Sequence, residues 1–490
     1  MNTLFYYFSI FVTFDSYIKL YIHSFTDKLL TRLFYHRKHS SNKNHIYRER
    51  EKNKIHKNVL NLKERGMYED IFPNNYLLIK SSQCVYAGFD PTASSLHIGN
   101  LLILMNLLHW QRAGHQVIAV LGGATGLIGD PSHRKSERIE MEEVLLKSNL
   151  ESIREDIENI FNNHKQYFWH GNMNSLKPLM VLNNLDWYKD VNVIQFVRKV
   201  GKYFRLGTML GRTSVQSRLN SETGMSFTEF TYQVFQAYDW FHLANKYKCL
   251  FQIGGSDQMG NIMSGYDLIT KATDETVYGL TLPLITAEGG KKFGKSTGNA
   301  VWLSPSKSSS FQLYQFFVRT KDEDVENLLK LFTFLPLSQI NDIVKEHLKQ
   351  PEDRLAQKIL AEEVTLLVHG ELGLKAAKEA SMVLYNKSID TLVKMNADEI
   401  ANVFEGATVV DILGEQGLTV YELVTKVKCF KSDHDARRII SAGGFYINYA
   451  KVTNLDEVLV PGIHVLSNNV TLLRVGKKSY HIVRWINGTI

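Results

Sequence analysis

The 490-residue chain holds only three cysteines, Cys84, Cys249 and Cys429, far apart and without a CxxC pair. So sparse a set excludes a disulfide scaffold and a cysteine zinc site, and it fits a reducing compartment. The 17 histidines show no metal-ligand spacing. No GxGxxG follows any strand-like run, so the dinucleotide fingerprint is missing. The leading apolar stretch, Thr3 to Phe14, is 12 residues long and too short to span a bilayer. It has neither a basic start nor a small-residue cleavage site, which argues against secretion.

What is present is a globular composition, 44% apolar and 22% charged, at a length that predicts two to four domains. Charge is unevenly spread. Residues 1–66 carry 13 Lys/Arg against 5 Asp/Glu, and residues 417–490 carry 10 against 5. With +7 overall, the ends hold +13 and the middle −6. Basic ends on an acidic body point to a polyanion or a targeting role for the ends. In "TDKLLTRLFYHRKHSS", Leu29, Leu30, Leu33 and Phe34 fall on one helical face among basic residues, the pattern of an organelle presequence. Residues 40–58 read as a charged linker.

The folded body opens near Met67. "CVYAGFD" (84–90) is strand-like, "SLHIGNLLILMNLLHWQRAG" (95–114) has helical apolar spacing, and "QVIAVLGG" (116–123) is strand-like again. Strand, helix and strand with short joints predict a βαβ unit and a parallel sheet. Ligands of such sheets sit at the carboxyl ends of strands. Asp90 and Thr92 lie at such an end, with His97 in the first turn of the next helix, where free N–H groups favour anions. Gly99 lets a flat group approach the backbone. The next corner, "GGATGLIGDPSHRKSER" (122–138), sets Asp130, Arg134 and Arg138 in a glycine-rich basic loop suited to a polyphosphate. Tyr232, Gln236 and Asp239 follow at i, i+4 and i+7, a polar stripe on one helical face. "FQIGGSDQMGN" (251–261) ends a strand at Asp257, placed to accept from a ribose, and "GGKKFGKSTGN" (289–299) is a glycine-flanked loop carrying Lys292 and Lys295.

Together "HIGN" (97–100) and "KFGKS" (292–296) resemble the HIGH and KMSKS signatures of class I aminoacyl-tRNA synthetases. Joined in order to "YAGFDPT", "TYQVFQAYD" and "QIGGSDQMGN", they closely resemble the tyrosyl-tRNA synthetase family, over about residues 59–490. The stretches 299–319 and 329–337 look most like the animal mitochondrial form. That resemblance implies ATP-dependent attachment of tyrosine to tRNA(Tyr), in the mitochondrial matrix, through a tyrosyl-adenylate. Tyr86 and Asp239 would bind the phenol hydroxyl, an argument against tryptophan, whose indole has one donor and no hydroxyl. Asp130, Tyr232 and Gln236 would hold the ammonium group, with Gln258 near the carboxylate. Asp90, Gly255 and Asp257 would line the ribose side, Gly99 the nucleotide, and Ile285 the adenine. Thr92 and His97 would contact the phosphate under attack; Asn100 replaces the second histidine and keeps a hydrogen-bond donor. Arg134, Arg138, Lys292 and Lys295, with Ser296 beside them, would bind the departing pyrophosphate. Arg134 stands where a lysine is common, keeping charge and changing reach. Because the carboxylate is already a nucleophile, the chemistry needs alignment and charge stabilisation rather than a general base. Mg²⁺ would come with ATP, held by phosphate oxygens and no protein-ligated metal site.

The expected architecture is α/β: a presequence and linker over 1–58, then a Rossmann-like parallel-sheet domain over 59–304. A helical anticodon-contacting domain over 305–412 and an S4-like RNA-binding α+β domain over 413–490 complete it. In the last, a helix bearing Arg437 and Arg438 would meet tRNA phosphates before Gly443-Gly444 and a strand. The usual Asn-Gly turn there is Asn448-Tyr449. The family is dimeric, which places a homodimer interface around residues 183–204; no membrane association is expected.

Overall fold

The computed structural model describes residues 59–73, 79, 81–132, 141–171, 176–284, 286–287, 291–292, 295–296, 299–386, 388–404, 407–476 and 479–486. The expected presequence and linker, Arg134, Arg138 and Ile285 lie outside the described residues. The chain divides into two compact units, 1–60 with 77–81, and 61–76 with 82–490; the sheets, the helices and the cleft belong to the second.

The first sheet has six strands: β1 (Asp70–Phe72), β2 (Cys84–Phe89), β3 (Gln116–Leu121), β4 (Met180–Asn183), β5 (Cys249–Gly255) and β6 (Tyr278–Leu282). Their order is β1-β6-β5-β2-β3-β4, parallel except for β1 against β6. β2 is almost wholly buried, so its sequence is an apolar run rather than an alternation. From β2 the chain builds outward through β3 and β4, then returns to the other side of β2 with β5. The order reverses between β2 and β5, the place where open sheets of this kind bind ligands.

Four helices serve this sheet: α1 (Ile98–Arg112), α2 (Glu143–Asn163), α3 (Phe227–Tyr247) and α4 (Met259–Thr273). α1 is apolar nearly all round, and Leu101, Leu104, Met105, Leu107, Leu108 and Trp110 are fully buried, as a central helix requires. The left-handed Gly114 (φ 85°) turns the chain after it. α3 starts with Ser226 and Glu229 capping each other's backbone N–H groups. Glu229 also takes Nη2 of Arg218 at 2.7 Å, a buried ion pair that fixes this end of the helix.

Beyond Val301 come α5 (Ser310–Val318) and the long α6 (Leu355–Asn386), the latter broken at Gly370 (φ 69°, ψ −172°). The second sheet comprises β7 (Thr408–Ile412), β8 (Phe445–Ile447), β9 (Ala450–Val452), β10 (Val470–Val475) and β11 (Ser479–Trp485), ordered β7-β11-β10-β8-β9. β7 pairs in parallel with β11, so this sheet already begins at residue 408, inside the segment expected to be helical. Between β7 and β8 lie α7 (Val420–Val427) and α8 (Asp433–Ser441). Alternation along its strands feeds two cores. Leu473 and Val483 pack with Leu423, Val424 and Ile440, whereas Leu472 and Ile482 pack with Phe311, Val383, Leu392 and Phe404 of the helical segment. The Asn448-Tyr449 turn is left-handed at both residues (φ 47° and 70°), and Tyr449 donates its hydroxyl to the Val383 carbonyl at 2.7 Å. That bond accounts for a tyrosine where glycine is the easier fit. Among the described residues no helix is long and apolar enough to cross a membrane.

Candidate active site

A cleft of about 820 Å³ opens at the carboxyl ends of β2 and β5. Tyr86, Asp90, Thr92, His97, Gly99, Asn100, Asp130, Tyr232, Gln236, Asp239, Gly255, Asp257 and Gln258 all line it.

The HIGN corner is a helix cap. His97 has extended backbone, and its Nδ1 accepts from the Gly99 N–H at 3.0 Å, while Asn100 Oδ1 accepts from the His97 N–H at 3.1 Å. A ring nitrogen that accepts must be unprotonated, so the neutral ring carries its proton on Nε2 and is a donor there. A Cβ at position 99 would lie 2.8 Å from His97 Cε1; glycine is what lets the ring fold over the helix start. Asn100 thus spends its carbonyl oxygen on the cap.

Asp239 is buried and accepts three hydrogen bonds: from Asn184 at 3.0 Å, Trp187 at 2.9 Å and Tyr188 at 2.8 Å. Burial still pushes its carboxyl up to about 7 against those donors. Tyr86 is 2% exposed, and among the described residues its hydroxyl has no hydrogen-bond partner, nor have Gln236 Oε1 and Gln252 Oε1. Tyr86 and Gln252 sit side by side in register on β2 and β5. Orphaned buried polar atoms cost about 1–3 kcal/mol each, so their grouping in one cleft marks a place for a polar ligand.

The middle of the cleft is held by carboxylates. Asp90 takes the Tyr232 hydroxyl at 2.8 Å and the Thr125 hydroxyl at 2.7 Å, so the residue expected at the ribose and one expected at the ammonium are bonded to each other. Asp130 accepts from Gln258 Nε2 at 2.7 Å, and Gln258 accepts from Asn261 at 3.0 Å. Asn184 Nδ2 reaches Thr125 Oγ1 at 3.0 Å as well as Asp239, completing a string from Asp239 to Asp90. Gly122 is required here: a Cβ would fall 2.0 Å from Asp90 Oδ1.

Lys292 lies in a short ribbon, Thr286–Ala287 with Lys291–Lys292, and Lys295 and Ser296 in another with Asn299–Ala300. Arg437 and Arg438 are far along the chain on α8, each exposed and each next to an acid of its own helix, Asp433 at 3.8 Å and Asp435 at 3.0 Å. The Arg437 guanidinium also lies 4.7 Å from the Tyr421 ring centre, and Arg474 stacks over Tyr446 at 3.9 Å. Asn184, Trp187, Tyr188, Thr125 and Gln252 were not singled out as site residues by sequence. The first three fall in the stretch read as an interface.

Residues 80–386 match the model of class I tRNA synthetases for tryptophan and tyrosine, and residues 399–483 match the C-terminal domain of the tyrosine–tRNA ligases. The mitochondrial tyrosine–tRNA ligase of Drosophila melanogaster is 53% identical, covering 88% of this chain and 94% of its own. The human mitochondrial enzyme is 46% identical, covering 86% and 91%. The chain belongs to the tyrosyl-tRNA synthetases. It is an ATP-using tyrosine–tRNA ligase of mitochondrial translation. Among solved structures, a C-terminally truncated mitochondrial tyrosyl-tRNA synthetase from Aspergillus nidulans superposes with a TM-score of 0.61 at 33% identity, covering 67% of this chain and 94% of that one. The relatives separate tyrosine from tryptophan, which the first family model leaves joined.

Proposed function

We propose that this synthetase reads tyrosine by its hydroxyl, through Asp239 and Tyr86, and activates it at the His97 corner. The observation that carries the reading is the buried Asp239 lining the same cleft as His97 and as the Tyr86 hydroxyl, which has no partner among the described residues. Asp130, Tyr232 and Gln236 hold the ammonium group, and Gln258 lies by the carboxylate. Asp90, Gly255 and Asp257 face the ribose, Gly99 and Ile285 the rest of the nucleoside. The substrate carboxylate attacks the α-phosphorus, and pyrophosphate leaves. Thr92, the His97 Nε2–H, Asn100 and Lys295 stabilise charge that grows on the phosphates, and Lys292, Ser296, Arg134 and Arg138 hold the leaving group. Among the described residues no three His, Cys, Asp or Glu side chains gather as a metal cage, and the donor-rich corner suits phosphate oxygens, which would carry Mg²⁺.

In the second step the tyrosyl group passes to the tRNA. Residues 305–412 are read as the anticodon-contacting helices and 413–490 as the RNA-binding module, with Arg437 and Arg438 on phosphates. Residues 1–58 direct the chain to the matrix, leaving 59–304 as the catalytic domain. Val193, Ile194 and Val197, each more than 60% exposed, supply an apolar face for a second copy of this chain. Pyrophosphate exchange with each amino acid tests the reading: tyrosine should support it and phenylalanine and tryptophan should not. Equal exchange with phenylalanine would overturn it.

A further inference from the structure

The segment that brings the lysine loop back to the cleft, residues 301–304, is held by more than its own backbone. It runs beside the HIGN corner as a two-rung ladder: Ile98 N–H donates to the Val301 carbonyl at 3.0 Å and Leu303 N–H to the Leu96 carbonyl at 2.8 Å. Position 302 faces position 97 across it. Two side chains from outside both segments close on this ladder.

From α2, Asp156 Oδ2 accepts the Ser95 hydroxyl at 2.7 Å and the Leu96 N–H at 3.2 Å. Ser95 Oγ in turn accepts the Ser304 N–H at 3.0 Å. One carboxylate oxygen therefore ties the approach to His97 and the exit of the loop together. Asp156 and Ser95 are buried, at 8% and 4% exposure, so water does not replace these bonds. Burial pushes the Asp156 carboxyl up, partly offset by Ser95 and Leu96.

From α6, His369 Nε2 donates to the Leu303 carbonyl at 2.8 Å, and its Nδ1 accepts the Ser310 hydroxyl at 2.9 Å. His369 comes just before the break at Gly370. Asn163 of α2 takes the carbonyls of Leu367 and Val368 there, at 3.0 and 3.4 Å. Gly373 leaves the room: a Cβ there would sit 2.5 Å from His369 Cβ. The break is thus built and capped, and it places one imidazole on Leu303.

We propose that Asp156 and His369 are positioning residues for tyrosine activation, fixing where the lysine loop returns to the His97 corner. Neither touches substrate. They act by holding residues 301–304 in register with residues 95–98, which sets the reach of Lys295 toward the phosphates. The inference rests on the reading of Lys295 as a phosphate ligand. Misplacing a reacting group by about 1 Å costs on the order of a hundredfold in rate, so loosening the ladder should be felt in the rate and not in tyrosine binding.

The test is pyrophosphate exchange and tyrosine binding on the full chain. Asp156→Ala, Ser95→Ala and His369→Ala should each slow exchange about tenfold or more, with the tyrosine KM within about twofold. Asp156→Asn, which keeps an acceptor oxygen, should recover most of the rate. In a Lys295→Ala background, Asp156→Ala should add little, because the loop through which it acts is already disarmed. Fully additive losses would overturn the proposal. So would normal exchange by Ser95→Ala beside a crippled Lys295→Ala, even if Asp156→Ala does not fold. If Lys295→Ala itself exchanges normally, the loop assignment falls and takes the proposal with it.

Discussion

Asn184 holds Asp239 at 3.0 Å with the same amide nitrogen that reaches Thr125, and Thr125 donates to Asp90. Asp239 and Asp90 are therefore joined by one string of side chains, with a carboxyl group at each end.

The Asp239 carboxyl titrates near pH 7, because burial outweighs Asn184, Tyr188 and Trp187, with Asp90 adding repulsion. Only the ionised form accepts both its three donors and a phenol. We expect kcat/KM for tyrosine to fall below about pH 7, approaching tenfold per unit, and the tyrosine-to-phenylalanine ratio to fall with it. Asp239→Asn should flatten that limb. The stability sign is opposite: a raised carboxyl favours the fold below about pH 4 and loses that contribution as pH rises to about 7. The ligand-free protein should gain from this group in mild acid, read by melting temperature across the range.

Tyr86→Phe removes a hydroxyl that has no hydrogen-bond partner among the described residues. The expected cost is about 1 kcal/mol of tyrosine preference, roughly fivefold, with phenylalanine use unchanged. Pockets built around a substrate hydroxyl reject its absence by leaving polar groups unpaired, and tyrosyl-tRNA synthetases are a familiar instance. Competition between the two amino acids in pyrophosphate exchange measures the ratio.

Gly99→Ala should resemble His97→Ala. The new methyl would meet the imidazole at 2.8 Å, and either the cap or the ring must give. Adenylate formation should slow, by up to the 10²–10³-fold that removing one transition-state donor costs, while tyrosine affinity holds. Single-turnover kinetics separates the two.

Glu229→Ala takes the carboxylate from Arg218, which is 1% exposed, and one half of the α3 cap. A loss of about 3–5 kcal/mol is expected, measured by denaturant unfolding. Tyrosine binding should weaken in parallel, since α3 carries Tyr232, Gln236 and Asp239.

Ending the chain at residue 407 should spare adenylate formation and cripple tRNA charging. The cut falls before β7; a cut at 412 would strand β7 without β11. Charging by the full chain should fall with rising salt as phosphate contacts exchange with ions.

Much of the cleft was legible because its residues sit where periodicity changes. Asp90, His97 and Asp257 lie at strand ends or helix starts, and Tyr232, Gln236 and Asp239 recur at helical spacing. Asn184, Trp187 and Tyr188 carry no such mark. They belong to a strand end and a four-residue helix, Leu185–Tyr188, whose aromatics read as surface until α3 is brought against them. Thr125 and Gln252 were hidden for a related reason: each looks like a turn or strand residue, and its partner is 35 or more positions away or absent. The strand at 408–412 escaped because its partner, β11, lies at the far end of the chain.

In mechanical terms α6 is a strut. Tyr449 fastens the second sheet to it at Val383, and His369, on the other side of the break at Gly370, fastens the root of the lysine loop to its other part. Leu472 and Ile482 bury the sheet against the strut in one shared apolar core, so the two are joined by packing as well as by chain.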